Sequence, residues 1–164
     1  MAEITIGAEA IDRSGTGSPG YTRVNKEGPA SASGTITSID IWANENITGL
    51  RVGTFYSTNG NTLKCRASQA IAGTITAGSK VTKAVSLAVE IGDYIGAYWT
   101  GGKIDYAAEG FAGQWLKNGE FIDPGDEEVY GLNAGDAASL GGKGETPVMG
   151  GGGGPANLVA AGVI

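Results

Sequence analysis

Apolar and polar positions alternate with a period of two along much of this 164-residue chain. The clearest stretch is 81–91, where Val81, Val85, Leu87, Val89 and Ile91 share one face while Thr82, Ser86 and Glu90 share the other. Successive side chains of a strand point to opposite faces, so this pattern predicts a half-buried strand of an antiparallel sheet. Residues 35–43 repeat it, with Ile39 and Ile41 set against Ser38, Asp40 and Trp42. A strand over 50–56 runs into the turn Ser57-Thr58-Asn59-Gly60-Asn61, and Ile71 and Ile75 anchor another before Ala77-Gly78-Ser79. Residues 94–99 place Ile95, Ala97 and Trp99 together; further strands are expected at 104–106 and, more weakly, at 114–116 and 120–122. Helical periodicity is not sustained anywhere, and turn residues recur about every ten positions. The fold class predicted is all-β, a single jelly-roll-like antiparallel β-sandwich.

The two ends read differently from the middle. Ile4 and Ile6 alternate with polar neighbours as a short strand would, and Ser14-Gly15-Thr16-Gly17-Ser18-Pro19-Gly20 has pure loop composition. From residue 131 onward Gly, Ala and small polar residues dominate, a composition suited to a linker that cannot offset its own ordering entropy. Five consecutive glycines at 150–154 precede the apolar residues Leu158, Val159, Val163 and Ile164. The organisation expected is an N-terminal arm with a first strand (1–32), a β-sandwich core (33–130) and a Gly/Ala-rich C-terminal extension (131–164). A flexible tether with an apolar end suits docking on another subunit, for example by adding a strand to a sheet edge. Leu158, Val159, Val163 and Ile164 are thus the expected assembly contacts, with Ile4 and Ile6 as a second anchor.

Composition narrows the function classes. The chain has no histidine, the usual acid–base and metal-binding side chain near neutral pH, which weighs against an enzyme. Seventeen acidic against eleven basic residues give a net charge of −6, which disfavours binding to nucleic acid. The acidic N-terminal residues lack the basic and apolar regions of a secretory signal, and no apolar run approaches the ~20 residues that span a bilayer. Cys65 is alone, so no intrachain disulfide or Cys-rich zinc site is possible. Its neighbours Lys64 and Arg66 suit a reactive thiol, but without a histidine base an inert strand residue is the better reading.

Three constellations carry candidate chemistry. Asp123, Asp126, Glu127 and Glu128 crowd one turn and offer oxygens to calcium, but in a spacing unlike an EF-hand loop; a solvated acidic turn fits better. Trp42, Tyr94 and Tyr98 fall on the polar faces of their strands, where aromatic rings serve either as a glycan-stacking platform or as packing against a partner. Asp105 with Glu109 or Glu120 could form a glycosidase pair, although any acidic β-protein offers such candidates. No cofactor and no metal ligand is assigned.

Three stretches carry a resemblance: Val24-Asn25-Lys26-Glu27-Gly28-Pro29-Ala30, Gly34-Thr35-Ile36-Thr37-Ser38-Ile39-Asp40-Ile41-Trp42-Ala43, and Gly92-Asp93-Tyr94-Ile95-Gly96-Ala97-Tyr98-Trp99. Over residues 8–122 the chain resembles small β-sandwich proteins that recur in tailed-phage and environmental viral sequences. The resemblance implies a virion component: a decoration or minor capsid protein, or part of a tail or fibre, made in a host cytoplasm. The expected partners are other protein subunits, as a homo-oligomer or with capsid or tail proteins, and not nucleic acid or membrane. The alternatives are a carbohydrate-binding or receptor-binding module and a self-assembling filament or surface-layer subunit.

Overall fold

Among residues 2–147, which the computed structural model describes, every regular element is a strand. In chain order they are β1 (Glu3–Gly7), β2 (Gly15–Gly17), β3 (Tyr21–Asn25), β4 (Gly34–Thr48), β5 (Arg51–Asn59) and β6 (Thr62–Ala70), then β7 (Lys80–Val89), β8 (Tyr94–Tyr98), β9 (Gly101–Asn118), β10 (Glu127–Val129), β11 (Gly131–Ala138) and β12 (Leu140–Glu145). The all-β, antiparallel, sandwich-like class expected from the alternation is what the chain adopts.

The strands join in the order β1-β12-β4-β9-β3-β8-β5-β6-β10, with β7 beside β4, and β2 and β11 beside β9. The long strand β4 divides this array. Its first part pairs with β7 and β12, from Gly34↔Val89 to Trp42↔Lys80, while Ala43, Glu45 and Thr48 pair with β9. Sheet A is therefore β1-β12-β4-β7, and sheet B holds the far part of β4 with β9, β3, β8, β5, β6 and β10, and β2 and β11 beside β9. Ile4 and Ile6 of β1, Ile36, Ile39 and Ile41 of β4, and Leu87 and Val89 of β7 meet Val52, Ile95, Ala97, Trp99 and Ile104 of sheet B in one core. A second, smaller core covers the opposite face of sheet B. There Val24, Phe55, Leu63, Cys65 and Trp115 lie under Ile122 and Tyr130 of the segment that follows β9.

Residues 131–145, expected within a linker-like extension, form β11 and β12 inside the sheet. Glycine makes this possible rather than preventing it. Gly142 faces inward, where an added Cβ would lie 3.0 Å from the Ser38 carbonyl and 3.2 Å from the side chains of Ile6 and Ile36. At Gly144 an added Cβ would run into the Thr35 carbonyl. β12 is thus threaded between β1 and β4 because it carries almost no side chains on its inner face, and its neighbours' isoleucines fill the space.

One corner carries the chain from sheet B to sheet A. Between β11 and β12, the Ser139 N–H donates to the Asp105 carbonyl, and its own carbonyl accepts from the Trp42 N–H. The buried Asn25 amide holds both sides of this corner: it donates to the carbonyls of Ala138 (3.0 Å) and Leu140 (2.9 Å) and accepts from the Ala138 N–H (2.8 Å). A buried amide with its donors and acceptor all used fixes geometry as well as adding stability.

Candidate functional site

The register of sheet A lays out its outer face row by row. Glu3, Glu145 and Thr35 stand in line with Ala88, Thr5, Lys143 and Ser38 with Ala84, and Gly7, Gly141 and Asp40 with Thr82; Trp42 pairs with Lys80 at the end. These side chains are small or polar, except Trp42, the one large ring among them. Beside Gly7 and Gly141 lies a groove of about 280 Å³ lined by Thr5, Glu9, Asp40, Lys80 and Lys143 among others. Asp40 is oriented by Thr82, whose hydroxyl donates to it at 2.5 Å. Two carboxylates and two ammonium groups around a glycine floor give a site that is polar and locally neutral, suited to a hydroxyl-rich ligand or to a polar partner surface.

The structure separates the three aromatic candidates. Trp42 is half-buried on the outer face of sheet A. Tyr94 and Tyr98 belong to β8 of sheet B, where both pack against the second core and the Tyr94 ring meets Trp115 edge-on at 4.8 Å. The chain's own segment around Ile122 and Tyr130 helps to cover that face. Ile4 and Ile6 are fully buried within sheet A's core, so their side chains already have partners inside this chain. Leu158, Val159, Val163 and Ile164 lie outside the described residues.

The acidic turn is dispersed rather than convergent. Asp123 pairs with Arg51 at 2.7 Å, Glu127 accepts from the Thr58 hydroxyl, and Glu128 reaches Lys117 at 3.7 Å. Glu120 is held by Arg51 at 3.1 Å, while Asp105 lies buried at the sheet corner. Cys65 sits on β6 within the second core, and its thiol donates weakly to the carbonyls of Ala67 and Ile122. Burial, with the negative charges of Asp126 and Asp123 adding to it, pushes this thiol up to about 12. That makes it an unreactive neutral group near pH 7, the inert strand residue anticipated.

Sequence reasoning passed over a buried polar cluster at the corner. The Asp105 carboxylate accepts from the Arg13 N–H at 2.9 Å, and the Arg13 guanidinium donates to the Ser139 hydroxyl at 3.0 Å. Ser139 in turn donates to the Ile11 carbonyl at 2.7 Å. Burial raises the Asp105 carboxyl above its ordinary range; the Arg13 N–H and Asn44 oppose the shift, while contact with Asp12 adds to it. The contacts from Arg13 to Asp105 and Ser139 span 92 and 126 positions of sequence, so nothing in a local pattern announces them. Compared with known proteins, the sequence matches no family model and no curated protein.

Proposed function

We propose that this chain is a non-enzymatic structural protein of a virion, one that decorates or reinforces a phage capsid, or forms part of a tail or fibre, through subunit contacts. The observation that carries this reading is where the described chain leaves the fold. β1 and β12 pair from Glu3↔Glu145 to Gly7↔Gly141, and Ala2 and Thr146 close the ladder with hydrogen bonds of 3.0 Å in each direction. The sequence that follows residue 147 therefore starts from a fixed point beside the β1 edge of sheet A. It holds the five glycines and then Leu158, Val159, Val163 and Ile164. A Gly-rich tether has a root-mean-square reach of about 5–6 Å × √n for n residues, and apolar area buried at its far end contributes roughly 25 cal/mol per Å². Repeated over a lattice, modest contacts of this kind sum to firm attachment.

Size-exclusion chromatography with light scattering, on the full chain and on one ending at Pro147, tests the reading. The full chain is expected to form a defined oligomer and the shortened one a monomer. The same number of chains per particle for both would overturn assembly through this segment. A second reading, a carbohydrate-binding module, is favoured by the outer face of sheet A, where Trp42 and the groove lined by Asp40, Lys80 and Lys143 adjoin. In that case Trp42→Ala abolishes retention on a glycan array while removal of residues 148–164 leaves it intact.

A further inference from the structure

We propose that this chain carries two complementary docking edges, and that residues 80–84 of β7 in one copy pair as an antiparallel strand with β10 of a second copy. The contact rests on the assembly reading above and deepens it: a three-residue ladder is weak alone, so residues 148–164 supply attachment and these edges supply direction. Where the backbone groups point decides which edges are open. β1 is closed by the chain's own loop: the Thr5 N–H donates to the Ser31 hydroxyl at 3.0 Å, and the Gly7 N–H to the Gly28 carbonyl at 2.7 Å. The far half of β7 is closed by side chains of sheet B. There the Ser86 N–H donates to the Gln69 amide oxygen at 2.9 Å, and the Ala88 carbonyl accepts from the Thr54 hydroxyl at 2.7 Å. The near half differs. The Trp42 N–H turns away from β7 to the Ser139 carbonyl, so Lys80 opposite it, and Thr82 and Ala84 after it, turn their own backbone groups away from β4. On the β10 side, the Asp126 carbonyl accepts from the Cys65 N–H and the Tyr130 N–H donates to the Asn61 carbonyl, both at 2.9 Å. Even-numbered residues here therefore face β6, and Glu127 and Val129 point outward. Among the described residues, nothing pairs with the outward backbone groups of Thr82, Ala84, Glu127 or Val129.

Charge selects which edge meets which. Among the described residues the cations in ion pairs are Arg51, Arg66, Lys103 and Lys117, so Lys80 and Lys83 on the open half of β7 belong to none. Pairing β7 with a second β7 would bring these lysines together, and pairing β10 with a second β10 would bring its glutamates together. Like charges facing each other across a ladder are destabilising, so each edge resists its own copy. β7 against β10 is the match. With Thr82 opposite Val129 and Ala84 opposite Glu127, the outward backbone groups form two hydrogen-bonded pairs. Lys83 then falls directly opposite Glu128, at a non-hydrogen-bonded position where facing side chains lie closest. Glu128 reaches Lys117 only at 3.7 Å and keeps 38% of its side chain exposed, which leaves it room for a second cation. Val129, 64% exposed in the single chain, gains a neighbouring strand. Because the two edges are different surfaces, the contact is heterologous, and copies joined this way extend head to tail into a ring or a filament.

The test is sedimentation velocity of the full chain over a range of concentrations, with charge-reversed variants, beside zero-length carbodiimide cross-linking of isotope-labelled chains mixed with unlabelled ones. Lys83→Glu and Glu128→Lys should each weaken association at least about tenfold. An equal mixture of the two variants should recover it, because the intact Glu128 of one meets the intact Lys83 of the other. Glu109→Lys, the same charge change at an exposed position away from both edges, should leave association unchanged. In the wild-type mixture, mass spectrometry should find Lys83 joined to Glu128 between a labelled and an unlabelled chain. That link needs no variant to fold, and recovery on mixing shows that both variants do. Oligomers undiminished by either reversal, with no link between chains, would overturn this contact and leave assembly through residues 148–164 standing. A full chain that stays monomeric at every concentration and forms no link would overturn both.

Discussion

Burial decides the chemistry of individual residues here more than their neighbours in sequence do. Cys65 lies between Lys64 and Arg66, a setting that would favour thiolate if the three side chains shared a face. On a strand they do not: Cys65 points into the second core, while Arg66 reaches away to Asp93 at 2.6 Å and Glu90 at 3.1 Å. The folded thiol, raised to about 12 from an ordinary 9.0, holds its proton more tightly than the unfolded one does. Its contribution to stability is therefore complete below about pH 9 and is lost as pH rises toward 12, by at most about 1.4 kcal/mol per pH unit. Burial pushes the neighbouring Tyr130 hydroxyl up as well, so it acts in the same direction. Urea midpoints measured between pH 8 and 11 should fall above about pH 9, and Cys65→Ala should flatten that fall even if it lowers the midpoint overall. Iodoacetamide should label native Cys65 at least about a hundredfold more slowly than the unfolded chain at pH 8.

At the level of elements, legibility followed the strength of the alternation. The face of Val81, Val85, Leu87 and Val89 is one side of β7, as the pattern indicates, but Ile91 lies past the end of that strand and is 69% exposed. Alternation shows a strand's face and not where the strand stops; here the turn at Gly92 and Asp93 ends it. β6 was anticipated only at Cys65 and given no bounds, because its inner side, Leu63, Cys65 and the half-buried Ala67, is short and weakly apolar. Ile71 and Ile75 drew attention instead, yet they sit in the connection after β6, where Ile75 forms an isolated bridge with Ile47. β12 was illegible for a different reason. Apart from Leu140 at its start, its inward residues are the glycines 142 and 144, so the hydrophobic signal belongs to Ile6 and Ile36 on the strands beside it. That gives the element a direct test. Gly144→Ala should destabilise the fold by roughly 2 kcal/mol or more, because a Cβ meets the Thr35 backbone and cannot be relieved by a rotamer change. Lys143→Ala, one position away on the exposed side, should change stability by no more than about 0.5 kcal/mol. Urea unfolding of the two variants separates a requirement for glycine from a general sensitivity of the strand.

For the whole molecule, the strand order explains both what the sequence concealed and what holds the fold together. β1 comes from the start of the described chain and β12 from its end, yet they are paired neighbours, and β12 alone separates β1 from β4. No pattern of neighbouring residues encodes such an order, which is why 131–145 read as an extension and why the Asp105 corner escaped notice. It also means that residues 131–145, near the end of the described chain, are structural. A chain ending at Tyr130 would lose β11 and β12, leaving β1 without a ladder, β4 with a bare edge, and Ile4, Ile6 and Ile36 facing water across a missing strand. Such a chain should show no cooperative thermal transition by circular dichroism. A chain ending at Pro147 keeps every described strand and should melt within about 2 °C of the full chain. A cooperative transition in the shorter chain at the full chain's Tm would mean that β12 is not where sheet A depends on it. Loss of folding at Tyr130, with folding retained at Pro147, would place the C-terminal boundary of the scaffold between those two positions, so that the assembly role proposed for residues 148–164 can be tested on an intact sandwich.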